Sequence, residues 1–263
     1  MTGVQTCALP ISVLNNSLAG PSIIGVNSGA GFFTVLIAAF FPTNLYYTTI
    51  AAFMGALLAV LLVYFIARKT GASRMTIVLS GVAVSSFIGA MTDTVLILKP
   101  NTTTERIAFL IGGLSGISMD RLVFAGVFII FALIIASFLS YDMNILALGD
   151  ESAKSLGLNV IRIRFIFLIL AAMLAGSAIS IAGLLGFVGL IVPHVSRFLV
   201  GYDNRVLLPV SALLGSIFTL LCDLLARVLF APYEIPVGII MSFLGGPFFI
   251  HLLVKGRRGQ LYD

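Results

Sequence analysis

The sequence predicts an all-α, polytopic helical membrane protein. Composition is the first reason: 263 residues, 60% hydrophobic, 10% charged, with a mean hydropathy of +1.16. A soluble domain carries about 25% charge. Its surface also grows too fast relative to its core to hide this much apolar area. The second reason is the length of the apolar runs. They match the roughly 20 residues a helix needs to cross a bilayer core of about 30 Å, whereas barrel strands would alternate. Only helices and closed barrels satisfy every backbone group in lipid. The third reason is the placement of the 15 basic residues. Arg68, Lys69, Arg74, Lys154, Arg162, Arg164, Arg197, Arg205, Lys255, Arg257 and Arg258 fall on one side of the predicted membrane, and Lys99, Arg106, Arg121 and Arg227 on the other. That bias predicts the first side to be cytoplasmic and both ends of the chain to lie there. The net charge of +5 is accounted for by basic loops facing anionic lipid, and nucleic acid is not an expected partner.

Eight spans are expected, near residues 22–41, 45–67, 75–98, 120–140, 160–182, 186–200, 206–230 and 235–254. The sixth is short and is expected to be flanked by re-entrant backbone. Ahead of the first, MTGVQTCALPIS lacks the basic start and apolar core of a signal peptide. It reads as the translation of a sequencing adapter joined to a truncated gene, so residues 1–12 are expected to be non-native and 13–263 to form a single transmembrane domain. A genuine terminus is the alternative. Cys7 belongs to that segment. Cys222 stands alone in an apolar run, where a small hydrophobe is the default, so neither a disulfide nor a metal–thiolate site is expected.

Two connections carry their own structure. Glu105 to Gly116, ERIAFLIGGLSG, is apolar enough for the interface and too short to span, which predicts a surface helix ended by Gly112 and Gly113. Ala147 to Asn159, ALGDESAKSLGLN, is polar between two apolar spans. Asp150 and Glu151 suit the positive end of a helix dipole and Lys154 the other end, and Gly157 can take the left-handed conformation that stops a helix. A compact water-exposed helix is predicted there, a handle for something outside the membrane; a merely solvated loop is the alternative. The 26 glycines, among them Gly25, Gly29, Gly31, Gly183, Gly186, Gly189, Gly245 and Gly246, suit close helix packing, with a lining for a translocation path as the sharper reading.

Ionisable groups inside the membrane are few. Asp93 lies near the outer end of the third span. Asp223 and Arg227 lie at i, i+4 in the seventh, as an intrahelical pair or with Arg227 as a docking charge for an outside partner. His194 and His251 read as packing or interfacial residues. No GxxxxGK[ST] loop is present to cradle ATP. No HExxH, no Cys/His cluster and no chain of buried acids for a proton relay appears. The sequence describes a charge-poor bundle with a handle and no engine, so no catalytic residue, cofactor or metal is expected on it.

Several linked motifs then match one family. NSLAGPSIIGVNSGAG (Asn16 to Gly31), ALGDESAKSLGL, GFVGLIVPHVSRFLVG (Gly186 to Gly201), NRVLLPVSALLGSIFTLLCDLLAR, EIPVGII and LGGPFFIHLL occur in the family's order. The chain resembles the FecCD-type permeases, membrane subunits of binding-protein-dependent ABC importers for iron-siderophores, haem and vitamin B12. It departs at Ser17, where the family has Pro, and at Gly20, where it has Asp or Glu. The resemblance implies a ten-helix vitamin B12 importer-like fold, of which this chain holds family helices three to ten. The lost region would carry an arginine-containing segment that helps dock the binding protein. It further implies two separate ATPase subunits below, where ATP is hydrolysed, a substrate-binding protein on the outer face, and a second permease copy or related permease. Asp150, Glu151, Ser152, Ala153, Lys154, Ser155, Leu156 and Gly157 then fall on the ATPase-coupling helix, and Arg227 where an arginine meets an acidic residue of the binding protein. A secondary transporter driven by an ion gradient is the alternative, and a membrane enzyme or scaffold would need a catalytic constellation absent here.

Overall fold

A computed structural model describes residues 24–41, 45–69, 74–229 and 231–259. Residues 1–12, Ser17 and Gly20 lie outside these, as does the side chain of His251. All regular structure among the described residues is helical: α1 (Val26–Phe40), α2 (Leu45–Lys69), α3 (Arg74–Leu98), α4 (Thr103–Ile111), α5 (Met119–Phe138), α6 (Ser140–Ala147), α7 (Asp150–Ser155), α8 (Val160–Ala182), α9 (Val188–Val200), α10 (Asn204–Val228) and α11 (Val237–Gly259). Five of them, α2, α3, α5, α8 and α10, are long and apolar enough to cross a membrane; α1, α9 and α11 contribute shorter apolar stretches. Eight apolar helices thus stand where eight spans were expected. The short sixth one starts only after a non-helical stretch from Gly183 to Phe187.

Caps and packing explain the boundaries. Asn159 accepts a hydrogen bond from the Arg162 N–H at the start of α8 (3.2 Å), and Asp203 accepts one from the Arg205 N–H at the start of α10 (3.0 Å). The centre is α1, α2 and α8, packed on small residues. Gly29 and Gly55 face each other so closely that a Cβ on either would strike the other's carbonyl, and Gly176 lies against Ala56 and Phe53. This is how helices associate in lipid, where backbones that approach closely gain the most van der Waals contact. Helix α8 is 67% buried over its apolar window, against 17% for α5, so α8 is the central post and α5 a neighbour at the edge of the bundle. Helix α3 covers α1 and α2 but leaves Met75, Leu79, Phe87 and Met91 exposed. A second cluster, Val188, Val192, Cys222, Ala226, Val237 and Met241, joins α9, α10 and α11.

The helix ends remote from α7 are stitched by backbone. Surface helix α4 stops at Gly112, one residue after Ile111. Leu184 N–H donates to Phe109 O (2.8 Å), Gly113 N–H to Ala182 O (2.8 Å) and Gly238 N–H to Gly112 O (3.3 Å). These bonds tie α4 to the ends of α8 and α11. Close packing is therefore the role of Gly29, Gly112, Gly183 and Gly238. Gly245 has the same role: it gives Phe187, at the head of α9, its place against α11. Gly113 and Gly246 have open space instead.

Candidate functional site

The polar segment from Ala147 to Asn159 folds as one short helix, α7, as expected, and a further short helix, α6, stands between it and α5. Leu139 leaves the α region and Ser140 starts afresh, its hydroxyl donating to Ser137 O (2.7 Å). No sequence signal marked that break, because Ser140 continues an apolar run without Gly or Pro. Helix α7 carries Asp150 and Glu151 in its first turn and Lys154 in its last. Gly157 ends it at φ +84. Its N–H donates to Lys154 O (2.9 Å), and the Leu158 N–H donates to Ala153 O (3.0 Å), the paired bonds of a Schellman stop.

One side of α7 is docked and the other is bare. Ala153 is fully buried in the main apolar cluster, with Met143 and Leu146 of α6 beside it. Glu151, Ser152, Lys154, Ser155 and Gly157 are exposed. So are two large apolar residues bracketing the helix, Leu148 (65%) and Leu156 (62%). The open side of α7 thus mixes charged, hydroxyl and apolar side chains.

The same unit is braced to two long helices. Asp150 takes both carboxylate oxygens to Arg164 Nη2 of α8 (2.8 and 2.9 Å). Arg164 is 3% exposed, and a charge so buried needs its partner. Arg164 is the fifth residue of α8 and is buried, so its charge braces the fold rather than facing lipid headgroups. On the other flank, Asn144 of α6 donates to Asp203 (2.7 Å) and accepts from the Asn204 backbone (3.0 Å) and side-chain amide (2.7 Å). Arg205 stacks over the Tyr141 ring at 5.0 Å. Hydrogen bonds to the charged form, first from the Arg205 N–H and then from Asn144, hold the Asp203 carboxyl below its ordinary pKa.

Near the C-terminal end of α10, Arg227 pairs with Asp223 one turn back (2.9 Å), and 46% of its side chain stays open. The intrahelical pair is thus formed, with half the guanidinium still accessible. Asp93 pairs with Arg106 of α4 (2.6 Å). His194 meets the Phe248 ring edge-on at 6.1 Å, a packing contact. A cavity of about 430 Å³ is walled by residues including Thr34, Thr48, Arg121, Ser180 and Glu234. A cleft of about 600 Å³ between α1, α4 and α11 has Asn27 and Ser242 among apolar residues and no ionisable side chain in its lining. Among the described residues, no three His, Cys, Asp or Glu side chains converge.

A family model, the FecCD transport family, matches residues 11–255. The chain belongs to the FecCD transport family. It is 38% identical over 251 residues to the Fe(3+)-citrate import system permease protein YfmD of Bacillus subtilis, covering 95% of this chain and 75% of that one. It is 39% identical over 239 residues to the cobalamin import system permease protein BtuC of Halobacterium salinarum, covering 90% and 64%. A solved structure described as an inward-facing conformation of a metal-chelate type ABC transporter superposes with a TM-score of 0.89 at 29% identity, over 97% of this chain and 82% of that one. As an all-helical FecCD chain it is a permease-type membrane protein, and the family is one of transport rather than catalysis.

Proposed function

We propose that this chain is the membrane-spanning permease subunit of an ABC importer that carries an iron-siderophore, or a related metal chelate, into the cytoplasm. The observation that carries the reading is α7: a docked helix whose free side offers charges and two bare leucines outside the apolar slab. Asp150 to Gly157 would be held by two separate ATPase subunits, one under each of two permease copies, or under this chain and a related permease. A substrate-binding protein would meet the outer face, where Arg227 can exchange part of its bond to Asp223 for an acidic side chain of that partner. The chain ends would face the cytoplasm of a prokaryotic cell. Residues 13–263 would act as one transmembrane domain, with 1–12 outside it. Support for iron comes from the ferric-citrate relative and the metal-chelate transporter; the cobalamin relative keeps the class at large chelates.

In this reading no bond is made or broken by the permease. Closure of the ATPases on ATP moves α7, the bundle halves rotate, and the path opens to one side at a time. A bulky chelate passes best along a smooth wall that binds it weakly, and the apolar cleft by α1 and α11 is of that kind. The test is reconstitution in liposomes with the cognate ATPase and binding protein, offering ferric citrate, a ferric hydroxamate, haemin and cobalamin in turn. Uptake of one that requires ATP is the expected result, lost when Glu151 and Lys154 are both charge-reversed. Uptake that ignores ATP and collapses with the proton gradient would make the protein a secondary transporter.

A further inference from the structure

We infer that Arg164 is the positioning residue that makes α7 and the buried post α8 move as one body. This inference rests on the reading of α7 as the element the ATPase grips, and it names where that movement goes. Helix α7 already runs into α8 through the short link Leu156–Asn159. The Asp150–Arg164 bond closes the other end of the same helix onto α8, fourteen residues along the chain. A short helix joined to its neighbour at one end only pivots about that joint, here Gly157 at φ +84. Fixed at both ends it cannot roll, and a push on its free face becomes a displacement of α8. Helix α8 is suited to receive it. It is the most buried of the long helices, it packs on both α2 and α5, and its outer end is bonded to α4 through Gly113 and Leu184.

The choice of Arg at this place has a physical reason. A guanidinium 3% exposed is held with its Nη2 within hydrogen-bond reach of both carboxylate oxygens of Asp150. A lysine ammonium is a point charge on a flexible stem and would keep the attraction but not the orientation. The charge itself is costly to bury and is better replaced by apolar packing where stability alone matters. The Asn144–Asp203–Asn204 cluster holds α6 to α10 in parallel, so loss of Arg164 frees the α8 route and leaves the α6–α10 clamp in place.

The test uses the assembled importer in liposomes, with Cys7 and Cys222 replaced by Ala. One reporter is Ile181→Cys at the outer end of α8, read by ATP-dependent labelling with a membrane-impermeant maleimide. The other is Glu151→Cys, read by crosslinking to the ATPase. With Arg164→Gln, ATP hydrolysis and the Glu151→Cys crosslink are expected to stay within twofold; Asp150→Asn is read at Ile181→Cys only. The ATP-dependent change at Ile181→Cys is expected to fall at least tenfold. Arg164→Lys should lie between, and the swap Asp150→Arg with Arg164→Asp should restore part of the change. An ATP response at Ile181→Cys that survives both single variants overturns the inference, as does its absence in the parent. Loss of assembly in the singles and in the swap alike would assign the pair to folding and also overturn it. A missing Glu151→Cys crosslink in the parent would instead sink the underlying reading of α7.

Discussion

Replacing Gly157 isolates a single cause. Its φ of +84 lies in the left-handed region, and a Cβ built there meets nothing within 4 Å. Contact with neighbours therefore contributes nothing, and the cost of a side chain is the backbone's own. For an ordinary L-residue that is about 1–2 kcal/mol, less for Asn, which tolerates this region, and more for a β-branched residue. If the chain escapes the strain by opening, it gives up the Gly157–Lys154 and Leu158–Ala153 bonds, at about 1 kcal/mol each. Both routes lead to about 1–2 kcal/mol, or roughly a tenfold rise in the open population of the α7–α8 junction, since each 1.4 kcal/mol is tenfold. Amide hydrogen exchange of the assembled protein reads this directly at the Leu158 and Gly157 amides. The expected order of exchange is wild type, then Gly157→Asn, then Gly157→Ala, then Gly157→Val, with ATP-coupled uptake falling in the same order. Asn as harmful as Val would refute a conformational cause. Unchanged exchange in Gly157→Ala would show that this stop does not hold the helix.

Gly29→Ala should destabilise the bundle by about 2–3 kcal/mol, the upper part of the overpacking range, because the new methyl meets Ala59 Cβ at 2.6 Å as well as the Gly55 carbonyl and α1 must back away from α2. Gly89→Ala, with nothing within 4 Å, should be within about 0.5 kcal/mol of wild type; thermal melting of the purified protein compares the two, and equal midpoints would contradict the close α1–α2 approach. The Asp203 carboxyl is depressed below its ordinary value, so its stabilisation is fully present above about pH 4 and is lost as pH falls through the depressed value. The stability difference between wild type and Asp203→Asn should accordingly be present at neutral pH and vanish on acidification below pH 4; a difference that stays constant to pH 3 would rule out titration of Asp203 as the cause.

Much of this was legible from residue order, and the reasons are particular. Long apolar runs separated by Lys/Arg or Gly/Pro punctuation located the eight apolar helices, because lipid imposes a length on a span that no soluble core does. The surface helix stopped at Gly112 and the polar helix at Gly157, as glycine allowed. What escaped was long-range. Arg164 counts as one more basic residue near a helix start until the fold brings Asp150 to it. Asn144 has no signature at all, since its role exists only beside Asn204, sixty residues away. The break between α5 and α6 was invisible because Leu139 and Ser140 carry no helix-breaking chemistry; tertiary packing of Met143 and Leu146 into the core supplies the reason.

Placement of charge along the helices says how such a conduit can move without doing chemistry. The three ion pairs given by the described residues all join positions near helix ends: Asp150 with Arg164, Asp93 with Arg106, and Asp223 with Arg227. Between those ends the contacts named above are apolar: glycine and alanine at Gly29, Gly55, Ala56 and Gly176, with the Phe53 ring beside them. Ion pairs and capped turns prefer one geometry and resist small displacements, because their energy falls steeply with distance and angle. Flat contacts between small apolar residues lose little when one helix slides a fraction of an ångström along another, each atom pair contributing only about 0.1–0.2 kcal/mol. On the function proposed above, a bundle pinned at its ends and smooth through its middle would move as rigid bodies, and displacement applied at α7 would arrive at the ends of α8 and α4 remote from it. The same smoothness leaves no midplane charge among these pairs to hold a chelate on its way through.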